Sequence, residues 1–284
     1  MSRVAYVNGR YVRHADARVH VEDRGYQFAD GVYEVCEALG GRLVDEARHL
    51  DRLERSLREL RIAMPMDRAA LRFVLRETLR RNRVREGIVY LQVTRGVARR
   101  DHPFPAATRP AVVVTARAHD PAKGAAQART GVAVVTRSDE RWSRPDIKSV
   151  SLLPNVLAKQ HARESGAAEC WFVDRDGLVT EGASTNAWIV TADGAIVTRA
   201  ADRSILRGVT RTTLLDVAAG LQLRVEERAF TVEEAKAARE AFYSSATTIV
   251  MPVVSIDGAA VGDGKPGPVA RRLRAAFRDF AAVT

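Results

Sequence analysis

The chain has 284 residues, 46% hydrophobic and 28% charged, with a formal net charge of +10. These are ordinary globular proportions, comfortable for two domains, and they exclude disordered, collagen-like and coiled-coil classes. No apolar run approaches the ~20 residues of a membrane-spanning helix. The opening MSRVAYVNGRYV lacks the charged-then-apolar pattern of a secretory signal, and Cys36 and Cys170 form no CxxC pair. A cytoplasmic protein without a disulfide framework is therefore expected. The only lysines are Lys123, Lys148, Lys159, Lys236 and Lys265; the other basic residues are arginines, scattered through the chain without a basic tail. That pattern reads as a solvated surface. A nucleic-acid partner would need a recognition motif or aromatic-basic interleaving, and neither is present.

In chain order, VAYVNGRYV reads as a hairpin turning at Asn8-Gly9, and GVYEVCEALGGRLV as another turning at Gly40-Gly41. EARHLDRLERSLRELRIAM spaces Leu50, Leu53, Leu57 and Leu60 as one helical face, stopped by Pro65. Asp67 caps a second helix carrying Leu71, Val74, Leu75 and Leu79. IVYLQVTRG and PAVVVTARA read as strands. AHDPAKGAAQART loses periodicity to Pro, Gly and Ala, and suggests a join between domains. Beyond it come a strand, GVAVVTRS, and a helix, NVLAKQHARESG. Two hairpins follow with Asp-Gly turns, CWFVDRDGLVTEG and NAWIVTADGAIVT. TRTTLLDVAAG is helical. Thr231 and Glu234 make a capping box, FYSSATTIVMPVVSIDG is strand, turn and strand, and PVARRLRAAFRDFAAV closes the chain as an amphipathic helix. Hairpins mixed with helices predict an α+β fold with residues 1–120 as one domain, 121–130 as a linker and 131–284 as the second.

The six histidines are dispersed, and HExxH, GxSxG, Walker and GxGxxG patterns are absent. What remains is a set of short polar clusters in apolar surroundings. Tyr33 follows a Gly-containing turn. Arg99, Arg100 and His102 crowd a loop after a strand. Lys148 stands alone between a strand and a helix, Glu181 ends a strand, and Thr210 opens a helix whose amides suit an anion. The SSATT turn offers further hydroxyls and amides. Taken singly, each has a plainer reading: a solvated lysine, a structural acceptor, a helix cap, a core tyrosine, a loop histidine. Taken together, one loop lysine, one carboxylate and two anion cradles suit a phosphate-bearing aldehyde cofactor.

The order and wording of the segments carry more. EDRGYQFADGVYEV, HLDRLERS, VTRGVARRDHPFP, DIKSVSLLPNVLAKQ, TEGASTNAW, ILRGVTR and SSATTIVMPV resemble the class IV aminotransferases, the fold type IV pyridoxal 5'-phosphate enzymes, from about residue 4 to residue 280. The match is to the branch acting on D-amino acids. The resemblance implies a two-domain α+β fold whose C-terminal domain carries the cofactor lysine. It implies ping-pong transfer of an amino group from D-amino acids to 2-oxo acids. Lys148 looks like the Schiff-base lysine and Glu181 like the partner of the pyridine nitrogen. Arg52, Val209 and Thr210 look like phosphate ligands, and Leu206 would lie against the ring. Ser245-Ala246 stands where the family usually has Ser-Thr, leaving the Ala246 amide and the Thr247 hydroxyl for the phosphate. Tyr33 and Tyr90 would line the substrate side. Arg100 and His102 match a loop that reaches the substrate carboxylate from a partner subunit, which implies a homodimer with shared sites. Branched-chain L-aminotransferase, (R)-amine transaminase and aminodeoxychorismate lyase activities share the fold. The Arg100-Asp101-His102 loop, as a carboxylate trap, argues against them.

Overall fold

The computed structural model describes residues 3–284. The chain divides into two compact units. The first holds the chain up to Pro121 together with Ile147–Ser151 and Ala282–Thr284, and the second holds Ala122–Asp146 and Leu152–Ala281.

The first unit is a six-stranded antiparallel sheet with two long helices. Its elements are β1 (Val4–Val7), β2 (Arg10–Arg13), α1 (Arg24–Phe28), β3 (Gly31–Leu39), β4 (Arg42–Leu43), α2 (Glu46–Glu59), α3 (Arg68–Asn82), β5 (Gly87–Thr94) and β6 (Ala111–Ala118). Strand order is β2-β1-β6-β5-β3-β4. The Asn8-Gly9 turn forms as expected, with φ of 45° and 95°, the left-handed pair a two-residue hairpin requires. Asp67 caps α3, its Oδ1 accepting from the Ala70 amide at 2.7 Å. The leucine face of α2 and the Leu71, Val74, Leu75 and Leu79 face of α3 pack with Val32, Cys36 and Ala38 of β3 and Val89, Leu91 and Val93 of β5. Residues of opposite parity, Tyr33 and Val35 on β3 and Tyr90 and Gln92 on β5, therefore lie on the other face of the sheet.

Because β4 pairs only with Ala38 and Leu39, the first half of β3 is an open edge. Residues 147–151 cover it. Tyr33 N–H donates to the Lys148 carbonyl at 3.0 Å, Val150 N–H to the Gly31 carbonyl at 3.0 Å, and Ile147 enters the core. Lys148 was expected with the C-terminal domain by its number; its local packing is with the first unit, because strand pairing, not chain order, decides where the segment sits.

The second unit comprises α4 (Pro121–Thr130), β7 (Val132–Ser138), α5 (Leu153–Glu164), β8 (Glu169–Val173), β9 (Val179–Gly182), β10 (Asn186–Val190), β11 (Ile196–Thr198), α6 (Val209–Gly220), β12 (Val225–Glu227), α7 (Val232–Lys236), β13 (Glu240–Ser245), β14 (Ile249–Ile256), β15 (Ala259–Ala260) and α8 (Pro268–Phe280). Its sheet runs β12-β11-β10-β13-β14-β7-β8-β9, with β15 beside β14. β7 pairs in parallel with β8 and β14, and β11 with β12; the remaining pairs are antiparallel. Residues 121–130, expected as a linker, are helical. Only Ala128 of that helix is buried, so the segment has no apolar periodicity to betray it. No helix among the described residues is long and apolar enough to cross a membrane.

Leu53 is fully buried in α2. Leu53→Ala should cost about 2–5 kcal/mol through lost burial and an unfilled cavity, measured as a lower denaturant midpoint with an unchanged slope.

Candidate active site

Lys148 is half-buried, and its Nζ lies 4.2 Å from the centre of the Tyr33 ring. The main chain around it is fixed: its carbonyl accepts from Tyr33, and its N–H points to Ser56 Oγ at 3.3 Å. Among the described residues no carboxylate pairs with its ammonium. Lys159 and Lys236, by contrast, pair with Glu169 and Asp257, and Lys123 and Lys265 are exposed. The Tyr33 ring stacks on that of Tyr90 with centroids 5.7 Å apart. Burial pushes the Tyr90 phenol up to about 12, so it is a neutral donor, here to Gln92 Oε1 at 2.7 Å.

On the helix side of β3, Glu34 is a buried carboxylate. Arg52 donates Nε to Oε1 and a terminal nitrogen to Oε2, both at 2.8 Å, and His49 Nδ1 lies 2.7 Å from Oε2. Burial alone would raise the Glu34 pKa. The Arg52 charge and the bonds from Arg52 and His49 outweigh it, and the carboxyl is held well below the ordinary range. Burial lowers the His49 pKa further than Glu34 raises it. A neutral His49 then carries its proton on Nδ1, where it donates to Glu34.

In the second unit Glu181 sits at the end of β9, buried. Its Oε1 accepts from Arg141 and from the Leu206 amide at 3.0 Å, and its Oε2 from Asn186 Nδ2 at 3.0 Å. Asp139 holds the other side of Arg141, at 2.7 Å. Burial opposes the charge on Arg141, but Glu181 and Asp139 more than offset it and raise its pKa. Asn186 Nδ2 also donates to the Leu206 carbonyl at 3.0 Å. A Cβ at Gly208 would stand 2.1 Å from Asn186 Oδ1, so only glycine fits there.

Gly208 is the N-cap of α6, and no side chain caps that helix. The starts of α3 and α7 take Asp67 and Thr231, and α8 takes the Glu240 carboxylate at its Val269 and Ala270 amides. Among the described residues no side-chain cap meets the first amides of α6, those of Val209 and Thr210; the starts of α2 and α5 are likewise without one. Register pairs Asn186 with Ser244, which leads into the 245–248 turn. There Ser245 Oγ is 2.8 Å from Thr248 Oγ1 and 3.4 Å from the exposed Thr247 hydroxyl, with Ala246 between.

Arg100 and His102 are exposed and gather on one ring. The Arg100 guanidinium lies 5.1 Å from the Phe28 centroid, and the His102 ring 5.5 Å from it. Among the described residues, no hydrogen bond, ion pair or ring contact joins them to Tyr33, Tyr90 or Lys148 of the same chain.

A family profile, Amino-transferase class IV, matches residues 31–256. The chain is 40% identical over 276 residues to the D-alanine aminotransferase of Staphylococcus haemolyticus, covering 97% of this chain and 96% of that protein. It is 41% identical over 272 residues to the D-alanine aminotransferase of Bacillus licheniformis, covering 96% and 95%. The chain belongs to the class IV aminotransferases. Among solved structures, the branched-chain amino acid aminotransferase of Escherichia coli superposes with a TM-score of 0.91 at 27% identity, covering 98% of this chain and 94% of that one. The T.th. branched-chain amino acid aminotransferase with pyridoxamine 5'-phosphate gives 0.91 at 26% identity, with the same coverage.

The residues of this class IV aminotransferase fit the cofactor of its family. An amine without a carboxylate partner, an uncapped helix start beside a cradle that a Cβ would fill, and a buried carboxylate suit an aldehyde, a phosphate and a ring nitrogen in turn. Arg141, Asn186, Glu34 and His49 were not singled out from sequence. Arg141 is one of many arginines, with no spacing to mark it. Glu34 did leave a signal: it has the inward parity of Val32, Cys36 and Ala38, and a charge at a core position needs partners.

The sign of the Glu34 shift sets an acid dependence. Its folded pKa is depressed, so its stabilisation is complete above the unfolded-state value of about 4.3 and is lost as pH falls below it. Glu34→Gln should therefore destabilise the protein by about 3–5 kcal/mol at neutral pH, where Arg52 loses its counter-charge. It should also flatten the loss of stability below about pH 5. Denaturant titrations of both proteins across that range check both effects.

Proposed function

We propose that the chain is a pyridoxal-phosphate transaminase that moves the amino group of D-amino acids, of the D-alanine and D-glutamate type, to 2-oxo acids. The observation that carries the assignment is Lys148, the one lysine among the described residues that is half-buried without an ion pair. The full-length similarity near 40% to D-alanine aminotransferases, against 26–27% to branched-chain enzymes, supports the D-amino acid reading.

Pyridoxal phosphate, when bound, supplies an electron sink for the charge left at the substrate Cα. Lys148 would hold the cofactor through its amine, and the same amine would move a proton on and off that carbon as general acid and base. Glu181, fixed by Arg141, Leu206 and Asn186, would stand as the carboxylate that keeps a proton on the ring nitrogen. Val209 and Thr210 give helix-start amides to the phosphate, with Arg52 as a fixed positive charge and Ser245, the Ala246 amide and Thr247 as further donors. Leu206 would lie against the ring. Tyr33 and Tyr90 line the substrate side.

Arg100 and His102 serve the partner subunit's substrate carboxylate, a guanidinium offering two parallel donors there. Their exposure, and their lack of contact with Tyr33 of their own chain, supports a homodimer with shared sites. So does the apolar face of α5, where Leu153, Val156 and Leu157 are 70%, 57% and 49% exposed at helical spacing. The absence of a disulfide framework supports a cytoplasmic location.

Lys148→Ala should abolish both the visible absorbance of bound cofactor and transamination. A visible band that Lys148→Ala retains, and that disappears when borohydride fixes the cofactor to another lysine, overturns the assignment. Arg100→Ala should lower kcat/KM for D-alanine by roughly 30- to 1000-fold, the loss of about 2–4 kcal/mol expected for a charge-assisted contact. Mixing Arg100→Ala with Lys148→Ala subunits should restore activity, because a heterodimer has one site with both lesions and one with neither. Heterodimers that form but stay inactive refute the shared site.

A further inference from the structure

The loop that carries Arg100 and His102 is exposed, yet it is tied down from beneath by two buried arginines that share one carboxylate. Asp30 Oδ2 accepts from Arg24 Nε at 2.8 Å and from Arg95 Nε at 2.7 Å, and Oδ1 accepts from Arg95 at 3.0 Å. Arg24 spends its remaining nitrogens on the loop, donating to the Asp101 carbonyl at 2.6 Å and to the His102 carbonyl at 3.2 Å. Arg95 donates to the Leu60 and Arg61 carbonyls at 2.7 and 3.0 Å, and its guanidinium lies 3.7 Å from the centre of the Phe104 ring. Phe28 completes the arrangement: Arg24 approaches its ring at 4.8 Å, and Arg100 and His102 gather on the same ring.

Two guanidiniums on one aspartate leave an excess positive charge in a buried place. It is met by four main-chain carbonyls and two aromatic faces. Two of those carbonyls belong to Asp101 and His102, the residues that flank and carry the ligands themselves. The rigid fork of arginine reaches both carbonyls at once while keeping Nε on Asp30; a lysine has neither the fork nor the reach. With side chains pointing out and carbonyls pinned inward, the directions of Arg100 and His102 are set before any substrate arrives, and the cost of ordering the loop is met in folding rather than in binding.

We infer that Arg24, braced by Asp30 and with Phe28 beneath the loop, is a positioning residue that determines how tightly the Arg100–His102 loop binds the substrate carboxylate. The inference rests on the reading of Arg100 as that carboxylate's ligand. Neither Arg24 nor Asp30 is expected to touch substrate.

The test uses the holoenzyme with D-alanine and a 2-oxo acid, and compares Arg24→Lys, Arg100→Ala and the double variant. Arg24→Lys should raise KM for D-alanine about tenfold or more, with kcat within about threefold of the parent, the mark of lost uniform binding. In the Arg100→Ala background the same change should add little, because residues acting through one another are not additive. Where Arg24→Lys lowers the melting temperature as well, Phe28→Leu takes its place: it removes the ring under Arg100 and His102 without altering a buried charge, and the same split and the same non-additivity are expected. An unchanged KM in both variants, or full additivity with Arg100→Ala, overturns the inference while leaving the carboxylate ligand standing. An unchanged KM in Arg100→Ala itself overturns the ligand reading, and this inference with it.

Discussion

A carboxylate stripped of water in a protein interior is costly unless donors replace its hydration. Glu181 is met by the Arg141 guanidinium, the Leu206 amide and the Asn186 side chain. That requirement shapes the local chain. Asn186 must return to Glu181 five residues later, across the turn that opens β10. The Asn186 amide then holds the Leu206 carbonyl as well, and its oxygen takes the space where any side chain at position 208 would stand. The acid and the start of α6 are thereby built into one frame, so charge and helix dipole keep a fixed relation without help from a ligand.

The same solution recurs in the first unit. Glu34 is held by Arg52 and His49, and Asp30 by Arg24 and Arg95. Arginine suits this work because its planar fork binds carboxylates bidentately and stays charged at every working pH. The scarcity of lysine takes on meaning from this. Cations that fix the framework are arginines, and of the five amines four are exposed or paired with acids. The residue proposed to give and take a proton and form a bond is thus chemically distinct from the cations that hold shape.

Much of the fold was legible from local signals. Turns at Asn8-Gly9, Gly40-Gly41, Asp176-Gly177 and Asp193-Gly194 all carry glycines at positive φ, and the leucine faces of α2 and α3 are the core-forming faces. The helix at 121–130 was not legible, because alanine supplies helix propensity without periodicity and little of the segment is buried. Nor was α1 legible, whose five residues are too few to show a period. In the site, residues with a motif around them, such as Lys148 and Glu181, stood out by their wording. Their partners did not. Arg141 and Arg24 work through long-range contacts, across 40 and 77 positions of chain, and no local pattern encodes such distances. Only a charge at a core parity, as at Glu34, leaves a trace in one dimension.

The way Lys148 is held separates its main chain from its side chain. Its carbonyl is pinned by Tyr33, its N–H faces Ser56, and its neighbour Ile147 is buried in the core, so the Cα has little freedom. The ammonium, by contrast, has no carboxylate partner among the described residues and lies over the face of the Tyr33 ring. Such a contact is worth about 0.5–2 kcal/mol, far less than an ion pair that would have to be broken at a cost of about 3–5 kcal/mol in a buried site. The role proposed for Lys148, to hold a cofactor and move a proton, requires a group that leaves each position easily. Fixing the backbone by strand pairing while tethering the amine weakly supplies both aim and release, and the open edge of β3 is what makes that combination available.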